Sequence, residues 1–530
     1  MRLLFNYIAI LFLLFFYTSC NFQIEKLEDL PGMPLIYLDF EDNIENNGIT
    51  QISLYGKENV NYEKGLDGHV LDLSVNATYR KPIAINYKDG INWEGYPGIT
   101  VMLYVKIPSE DPNNYIIASQ INKDDDFGEI GWKIGRSVCG TWFWEITDGT
   151  KTVFYKPTCL RQPLDDGEWH HIAFSLNFAN EEARLYYDAE NVAIYSLEKF
   201  NFDLLKGSII IGGELGAVYP ISDVLNGYVD DFYVWSRALT PSQVGAVYSS
   251  KLSRKKNIRQ PKLDSLTVMT WNIWDNGQRS GIYTGLQRIA EIIKESGADI
   301  ITLQEAEKTA PIIADMLNYN LYQRGNGVTV LSRFELEKTY NLYNSNVSGA
   351  VTVKIDKKKS VVVAPISLSY HPNQEPYILA GQADVDTIIS REMKSRGAEI
   401  RYVTWELQSL LKNKNNIPVI VAGEFNAGSH LDWTEKNKEN RYNLVINFPT
   451  SKIMEEAGFI DTYRYVHPNE VQNPGYTWSP KFTNVLQNRI NYVFYNSDII
   501  KPKNSWLIDS HDVLFPSDHA AVVTSFEWVK

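Results

Sequence analysis

Four short segments in the second half of the chain hold residue types that move phosphoryl groups: Trp271-Asn272-Ile273-Trp274, Leu303-Gln304-Glu305, Gly423-Glu424-Phe425-Asn426 and Ser517-Asp518-His519. Each lies at the end of an apolar run that reads as a buried strand, so amides, carboxylates and one imidazole fall on the same edge of a sheet. Hard oxygen donors at strand ends suit a divalent cation such as magnesium, or manganese, which keeps several waters and takes one or two carboxylates with a phosphate oxygen. The chemistry such a set can do is metal-assisted attack of water on a phosphate ester.

The elements that must position these residues alternate between strand and helix. Leu266–Thr270, Asp299–Leu303, Val328–Leu331, Val361–Ile366, Pro418–Ala422, Ile490–Tyr495 and Ala521–Phe526 read as strands. Leu286, Ile289, Ala290 and Ile293 repeat at helical spacing before Ser296-Gly297, and Val403, Leu407, Leu410 and Leu411 mark a second helix over Ile400–Leu411. Alternation of this kind predicts α/β layers with a site on the sheet edge.

With those residues in view, 265–530 resembles the endonuclease/exonuclease/phosphatase superfamily, the fold of deoxyribonuclease I. The matching segments, in order, are MTWNIW, DIITLQEA, VTVLSRF, VIVAGEFNAGSHLDW, NPGYTWSP, NRINYVFY and FPSDHAAVV. The resemblance implies a four-layer α/β sandwich and a magnesium or manganese ion held by Glu305 with help from Asn272 and Asp518. It also implies that Asn426 orients water or a phosphate oxygen, and that His519 steadies developing negative charge.

Three positions depart from the family pattern. The usual Asp of GDFN is Glu424, which keeps the carboxylate but moves it by about 1 Å, a displacement that can cost roughly 10²-fold. The usual Asp that pairs with the last histidine is Asn491, which can orient His519 but cannot stabilise an imidazolium; the same change in a serine-protease triad costs about 10⁴ in turnover. The expected middle histidine is Ser367; His371 stands four residues on beside Pro372, where an exposed loop position is the default reading. These changes leave a catalytically silent binding protein as the alternative to an enzyme.

Residues 34–250 alternate short apolar and aromatic stretches with Asp-Gly and Gly-Gly turns, an all-β sandwich pattern. Segments such as EWHHIAF (168–174) and VDDFYVWSRAL (229–239) resemble the laminin-G-like, concanavalin A-like lectin family. That implies a jelly-roll able to bind a glycan or another surface ligand, with calcium as a cofactor in some members. Trp169, His170 and Trp235 nevertheless read first as core and hydrogen-bonding fixtures, and Asp230 and Asp231 as strand-end carboxylates. Cys139 and Cys159 flank two aromatic strand segments and favour a hairpin disulfide over a metal pair.

The chain of 530 residues is too long for one core and is expected to hold two domains. Its net charge of −13 is uneven: residues 265–530 hold 27 basic and 29 acidic side chains, leaving 24 and 35 upstream. Neither half has the basic footprint of a phosphate-backbone binder, which disfavours nucleic acid as a partner. Arg2 followed by the apolar run Leu3–Tyr17 and Thr18-Ser19-Cys20 resembles a bacterial lipoprotein signal, with Cys20 as the lipidated residue. The expected organisation is a signal peptide at 1–19, a tether at 20–33, the sandwich at 34–250, a basic linker at 251–264 and the phosphoesterase-like domain at 265–530. The expected address is the cell envelope outside the cytoplasm, at a membrane reached through the lipid.

Overall fold

Aromatic and β-branched residues build the first domain as two facing sheets. In the computed structural model, which describes residues 31–529 apart from 59, 77, 79–80, 87–89, 110–111, 125, 127, 214–223, 253–264, 326 and 413–416, the strand Gly98–Lys106 pairs antiparallel with Trp169–Asn177 and with Tyr228–Trp235. Glu182–Tyr187 and Glu190–Ser196 extend that sheet. The opposing sheet runs through Tyr115–Asp124, Gly128–Arg136 and Trp142–Thr147. Trp132 and Trp144 bridge the gap onto Phe174, with ring centroids 5.0 and 5.7 Å apart; such buried pairs add about 0.5–1.5 kcal/mol beyond their burial. The proposed signal peptide, Cys20 and nearly all of the linker lie outside the described residues. Among the described residues no helix is long and apolar enough to cross a membrane.

Several expectations for this domain need correction. Asp230 and Asp231 are not at a strand end: they lie inside Tyr228–Trp235, buried, where the pairing register shifts. The Asp231 carboxylate accepts from the Tyr37 hydroxyl (2.7 Å) and the Tyr233 hydroxyl (3.2 Å) and pairs with Lys251 at 3.0 Å. Lys251 therefore closes the helix Pro241–Lys251 rather than opening a solvated linker. Among the described residues of either domain no three His, Cys, Asp or Glu side chains stand as a preformed metal cluster. Cys139 and Cys159 are exposed free thiols, not a disulfide. The register explains why: Thr141 pairs with Pro163, while Thr158 and Arg161 on either side of Cys159 are tied to the second domain. Trp169, His170 and Trp235 behave as fixtures, with His170 Nδ1 2.6 Å from the Tyr187 hydroxyl and Trp235 Nε1 donating to the Gly32 carbonyl.

The second domain packs two sheets face to face with helices outside. One sheet orders Ile500–Ile508, Ala521–Trp528, Ser265–Asn272, Ile300–Gln304, Val328–Ser332 and Asn320–Arg324; the other is centred on Ser360–Ser367, Val419–Glu424 and Asn491–Asn496. Val268, Ile300, Val330, Val363, Ile420 and Val493 meet between them in one apolar cluster. On the outer faces, Leu286, Ile289 and Ile293 of the helix Ile282–Ser296 cover one sheet, and Ile400, Val403 and Leu407 of Arg396–Leu411 cover the other. Gly297 ends the first of these helices in the left-handed region (φ 68°), where a Cβ is disfavoured.

The two domains are not beads on a string. Glu190–Ser196 of the sandwich pairs in parallel with Asn320–Arg324 of the second domain, joining their sheets into one of 14 strands among the described residues. Around this seam Gln162 Nε2 donates to Asp315 (2.9 Å), Arg161 donates to the Tyr319 carbonyl (2.7 Å) and Arg324 pairs with Glu198 (3.2 Å). An unpaired edge strand is a template for aggregation. A fragment carrying only residues 265–529 should therefore self-associate at concentrations where the full chain is monodisperse, as read by size exclusion with light scattering. A monomeric fragment with an undiminished melting temperature would show that the seam is dispensable.

Burial pushes the Asp230 carboxyl up to about 8, and Asp231 beside it adds repulsion that Lys251 only partly offsets; Glu41 contributes a further small increase. The folded chain thus keeps a proton that the unfolded chain loses near its ordinary value of 3.8. Stability from this group is complete below that value and declines as pH rises toward 8. Asp230→Asn, which mimics the protonated form, should gain melting temperature over the parent progressively between pH 5 and 8 in calorimetry; parallel curves would contradict the assignment.

Candidate functional site

All four motif segments converge at one end of the two sheets. Asn272 ends its strand opposite Gln304 in a parallel pair, so Glu305 follows immediately beside it. Glu424 ends Val419–Glu424, with Ser367 across from it on one side and Asn491 on the other. Strand ends alone do not turn these side chains inward. Trp274, Asp275, Asn276, Glu305 and Asn426 all take positive φ (50–58°), a conformation costing non-glycine residues of the order of 1 kcal/mol or more each. The strain is held by specific bonds: Asp275 N–H donates to Glu305 Oε2 (2.6 Å) and Asn276 N–H to the Glu305 carbonyl (2.8 Å). At Gly423 a Cβ would collide with the Ile366 carbonyl, so the neighbouring strand can approach only a glycine here.

Two of the acidic groups share one amide as a hydrogen-bond donor. Asn272 Nδ2 donates to Glu305 Oε1 (3.0 Å) and to Glu424 Oε2 (2.9 Å), while its Oδ1 accepts from Trp274 N–H (2.9 Å). Asn272, which the resemblance implies helps Glu305 hold the cation, uses its amide nitrogen as a spacer between the two carboxylates. Burial raises Glu424 to about 8, with Glu305 and Asp518 adding repulsion against the Asn272 hydrogen bond. Asp518 is raised to about 6, by burial first and then by Glu305, and its buried Oδ1 has no hydrogen-bond partner. A set of mutually repelling carboxylates with an orphaned oxygen fits a hard divalent cation, with Glu305 and Asp518 as its holders.

His519 is the fourth group. Its Nδ1 lies 3.0 Å from Asn491 Oδ1, and its Nε2 lies 3.6 Å from Glu424 Oε1 and 4.0 Å from Asp518 Oδ1. Burial lowers the imidazole to about 3, so these contacts are made by a neutral ring rather than by an ion pair. Asn426 Nδ2 gives one hydrogen to the Leu368 carbonyl (2.9 Å) and its side chain lines the cavity. Ser367 stands level with Glu424, and no histidine replaces it: His371 is exposed and does not line the cavity, although Tyr370 and Pro372 on either side do.

The cavity in front of this cluster has a volume of about 560 Å³. At its mouth the Trp274 ring lies between two cations, Lys481 Nζ at 4.3 Å and Arg279 Cζ at 5.3 Å from the ring centroid. Both draw Asp518 back toward its charged form, which places positive potential beside the carboxylates. Sequence reading passed over these residues because an isolated Arg or Lys in a loop has no spacing signal. It also missed the buried frame under Asn491. Arg489 donates to Asp432 Oδ2 (2.9 Å) and to Asp461 through Nη1 (3.0 Å) and Nη2 (2.6 Å), while Arg464 Nε donates to Asp432 Oδ1 (2.6 Å). Removing one partner from such a network leaves buried charge uncompensated. Arg489→Met should cost about 3–5 kcal/mol in chemical denaturation, and a midpoint matching the parent would refute a structural role for the network.

Family profiles agree with this two-domain architecture. The profile of the Endonuclease/Exonuclease/phosphatase family matches residues 269–519, and that of the Concanavalin A-like lectin/glucanases superfamily matches 87–245. The Caenorhabditis elegans protein described as "Uncharacterized protein F14F9.5" is 30% identical over 318 residues, covering 53% of this chain and 95% of that protein. Among solved structures, truncated C. elegans TDP2 covers 50% of this chain and 97% of its own at 19% identity and a TM-score of 0.36. The human Nocturnin catalytic domain with bound sulfate covers 50% and 97% at 17% identity and 0.35. An AP endonuclease from Archaeoglobus fulgidus covers 49% and 98% at 16% identity and 0.36. Residues 269–519 thus carry a domain that matches the endonuclease/exonuclease/phosphatase family, whose members are metal-dependent phosphoester hydrolases, behind a segment that matches the concanavalin A-like superfamily.

Proposed function

We propose that the protein is a lipid-anchored phosphoesterase of the bacterial cell envelope, hydrolysing a phosphate ester outside the cytoplasm while its sandwich holds it near a glycan or another surface ligand. The observation that carries the hydrolytic reading is the cluster of Glu305, Glu424, Asp518 and His519 at the floor of one cavity, with the Asp518 Oδ1 atom unpaired. The anchor and the address rest on Arg2, the Leu3–Tyr17 run and Thr18-Ser19-Cys20.

A bound magnesium or manganese ion, held by Glu305 and Asp518, would neutralise charge on the phosphoryl group and acidify the attacking water. The chain's own residues supply the rest. Asn272 keeps Glu305 and Glu424 at a fixed spacing. With the cation's charge drawing it back to its ionised form, Glu424 would be the carboxyl that takes a proton from water, and Asn426 has a second amide hydrogen to offer an oxygen of the substrate. His519, fixed by Asn491, can hydrogen-bond a developing oxyanion as a neutral ring. Lys481 and Arg279 on Trp274 attract an anionic ester at the entrance. The near-neutral charge of this domain continues to disfavour a duplex nucleic acid as substrate.

The purified chain with magnesium or manganese should hydrolyse bis(p-nitrophenyl) phosphate, and Glu305→Ala should abolish turnover without unfolding the protein. Absence of activity in the parent with every divalent ion tried would remove the hydrolase reading. Glu424, Asn491 and Ser367 favour a second reading, a silent site on a ligand-binding lipoprotein. Restoring Asp, Asp and His at these positions should then create activity absent from the parent.

A further inference from the structure

The cavity is larger than a phosphate requires, and its far wall is of a different kind. Ile378, Phe448 and Leu486, each no more than 6% exposed, belong to one apolar cluster and line the cavity together with the rim residue Tyr370. Within this wall sits Gln374, 7% exposed, whose Nε2 has no hydrogen-bond partner. Leaving a buried amide unpaired is unfavourable, and buried polar groups in folded chains almost always find a partner. Gln374 lines the cavity, so the partner it lacks can be supplied from that space.

The wall is built to be stiff. Arg396, ion-paired to Glu392 at 2.7 Å, donates to the carbonyls of Ser369 (3.1 Å), Tyr370 (3.1 Å) and Pro372 (3.2 Å). Glu375, next to Gln374, accepts from Leu486 N–H (3.1 Å) and so ties two walls together. Such support fixes where the Gln374 amide stands before any ligand arrives, which lowers the ordering cost of binding. The total volume of about 560 Å³ falls in the range of small-molecule sites.

We propose that this apolar arm receives the organic group of a small phosphate ester, and that the Gln374 amide is a specificity-determining contact to a hydrogen-bonding group on it. The ester part rests on the phosphoesterase reading above; the arm as a ligand pocket does not. A near-isosteric apolar replacement separates binding from architecture, because it removes an unpaired polar group that the empty fold has no use for.

The test uses the full chain and Gln374→Leu. On bis(p-nitrophenyl) phosphate, whose nitro groups accept hydrogen bonds, kcat/KM should fall about tenfold, mostly through KM. On diphenyl phosphate, which has no such acceptor, it should be unchanged or improved, and the melting temperature should be equal or higher. Saturation-transfer NMR with 4-nitrophenol on metal-free protein should show binding that both Gln374→Leu and Tyr370→Ala weaken. An equal loss on both esters, or a lowered melting temperature, would mark Gln374 as merely structural and overturn the proposal. Turnover with 4-nitrophenol binding indifferent to Gln374 would overturn it too, leaving the phosphoesterase reading intact. Binding that depends on Gln374 without turnover of either ester would sink the phosphoesterase reading and uphold the pocket.

Discussion

The burial of two carboxyl groups, Glu424 and Asp518, next to a third, Glu305, is the constraint around which the site end of the second domain is arranged. Glu424 and Asp518 are buried beside the exposed Glu305, and burial first, then repulsion from Glu305, raises the proton affinity of both buried carboxyls. Other features of the corner keep that arrangement in place. Asn272 holds two of the groups apart at hydrogen-bond distance, and left-handed backbone at Glu305 and Asn426 aims side chains inward.

The scaffold bears this load by being over-determined elsewhere. Two sheets with nearly continuous apolar strands supply the burial, and the ion network of Arg489, Arg464, Asp432 and Asp461 anchors the segment that ends at Asn491. The sandwich adds a further restraint by capping the exposed edge at Asn320–Arg324. Because that connection is a run of backbone pairing backed by Arg161, Arg324 and Gln162, the two domains cannot swing freely about a linker.

Much of this was legible from residue order, for a clear reason. Strands of the second domain are buried on both faces and read as unbroken Val and Ile runs, so their ends, and hence Glu305, Glu424 and His519, can be located from the sequence. The helix Ile282–Ser296 announces itself by period and by Gly297. What escaped depends on contacts between distant segments. Parallel pairing of Glu190–Ser196 with Asn320–Arg324 joins strands some 130 residues apart and leaves no local signature. The roles of Asn272, Arg489 and Gln374 depend on which atom faces which neighbour, and spacing carries no such information. The disulfide expectation failed for the same reason: two cysteines in suitable hairpin context say nothing of register, and here the register parts them.

The departures at 424 and 491 make more sense together than apart. An Asp at 491 would bring a fourth carboxylate to the cluster, against His519, where it would favour a charged imidazole. Asn491 keeps the orienting contact at 3.0 Å and removes that charge, and the buried ring stays neutral. Glu424, one methylene longer than the usual Asp, then reaches both the Asn272 amide and the vicinity of His519 Nε2. The corner thus holds the same set of contacts with a smaller burden of like charge. In the proposed hydrolysis Glu424, and not a charged histidine, would handle the proton, a division of labour that needs neither a fourth acid nor a histidine at 367.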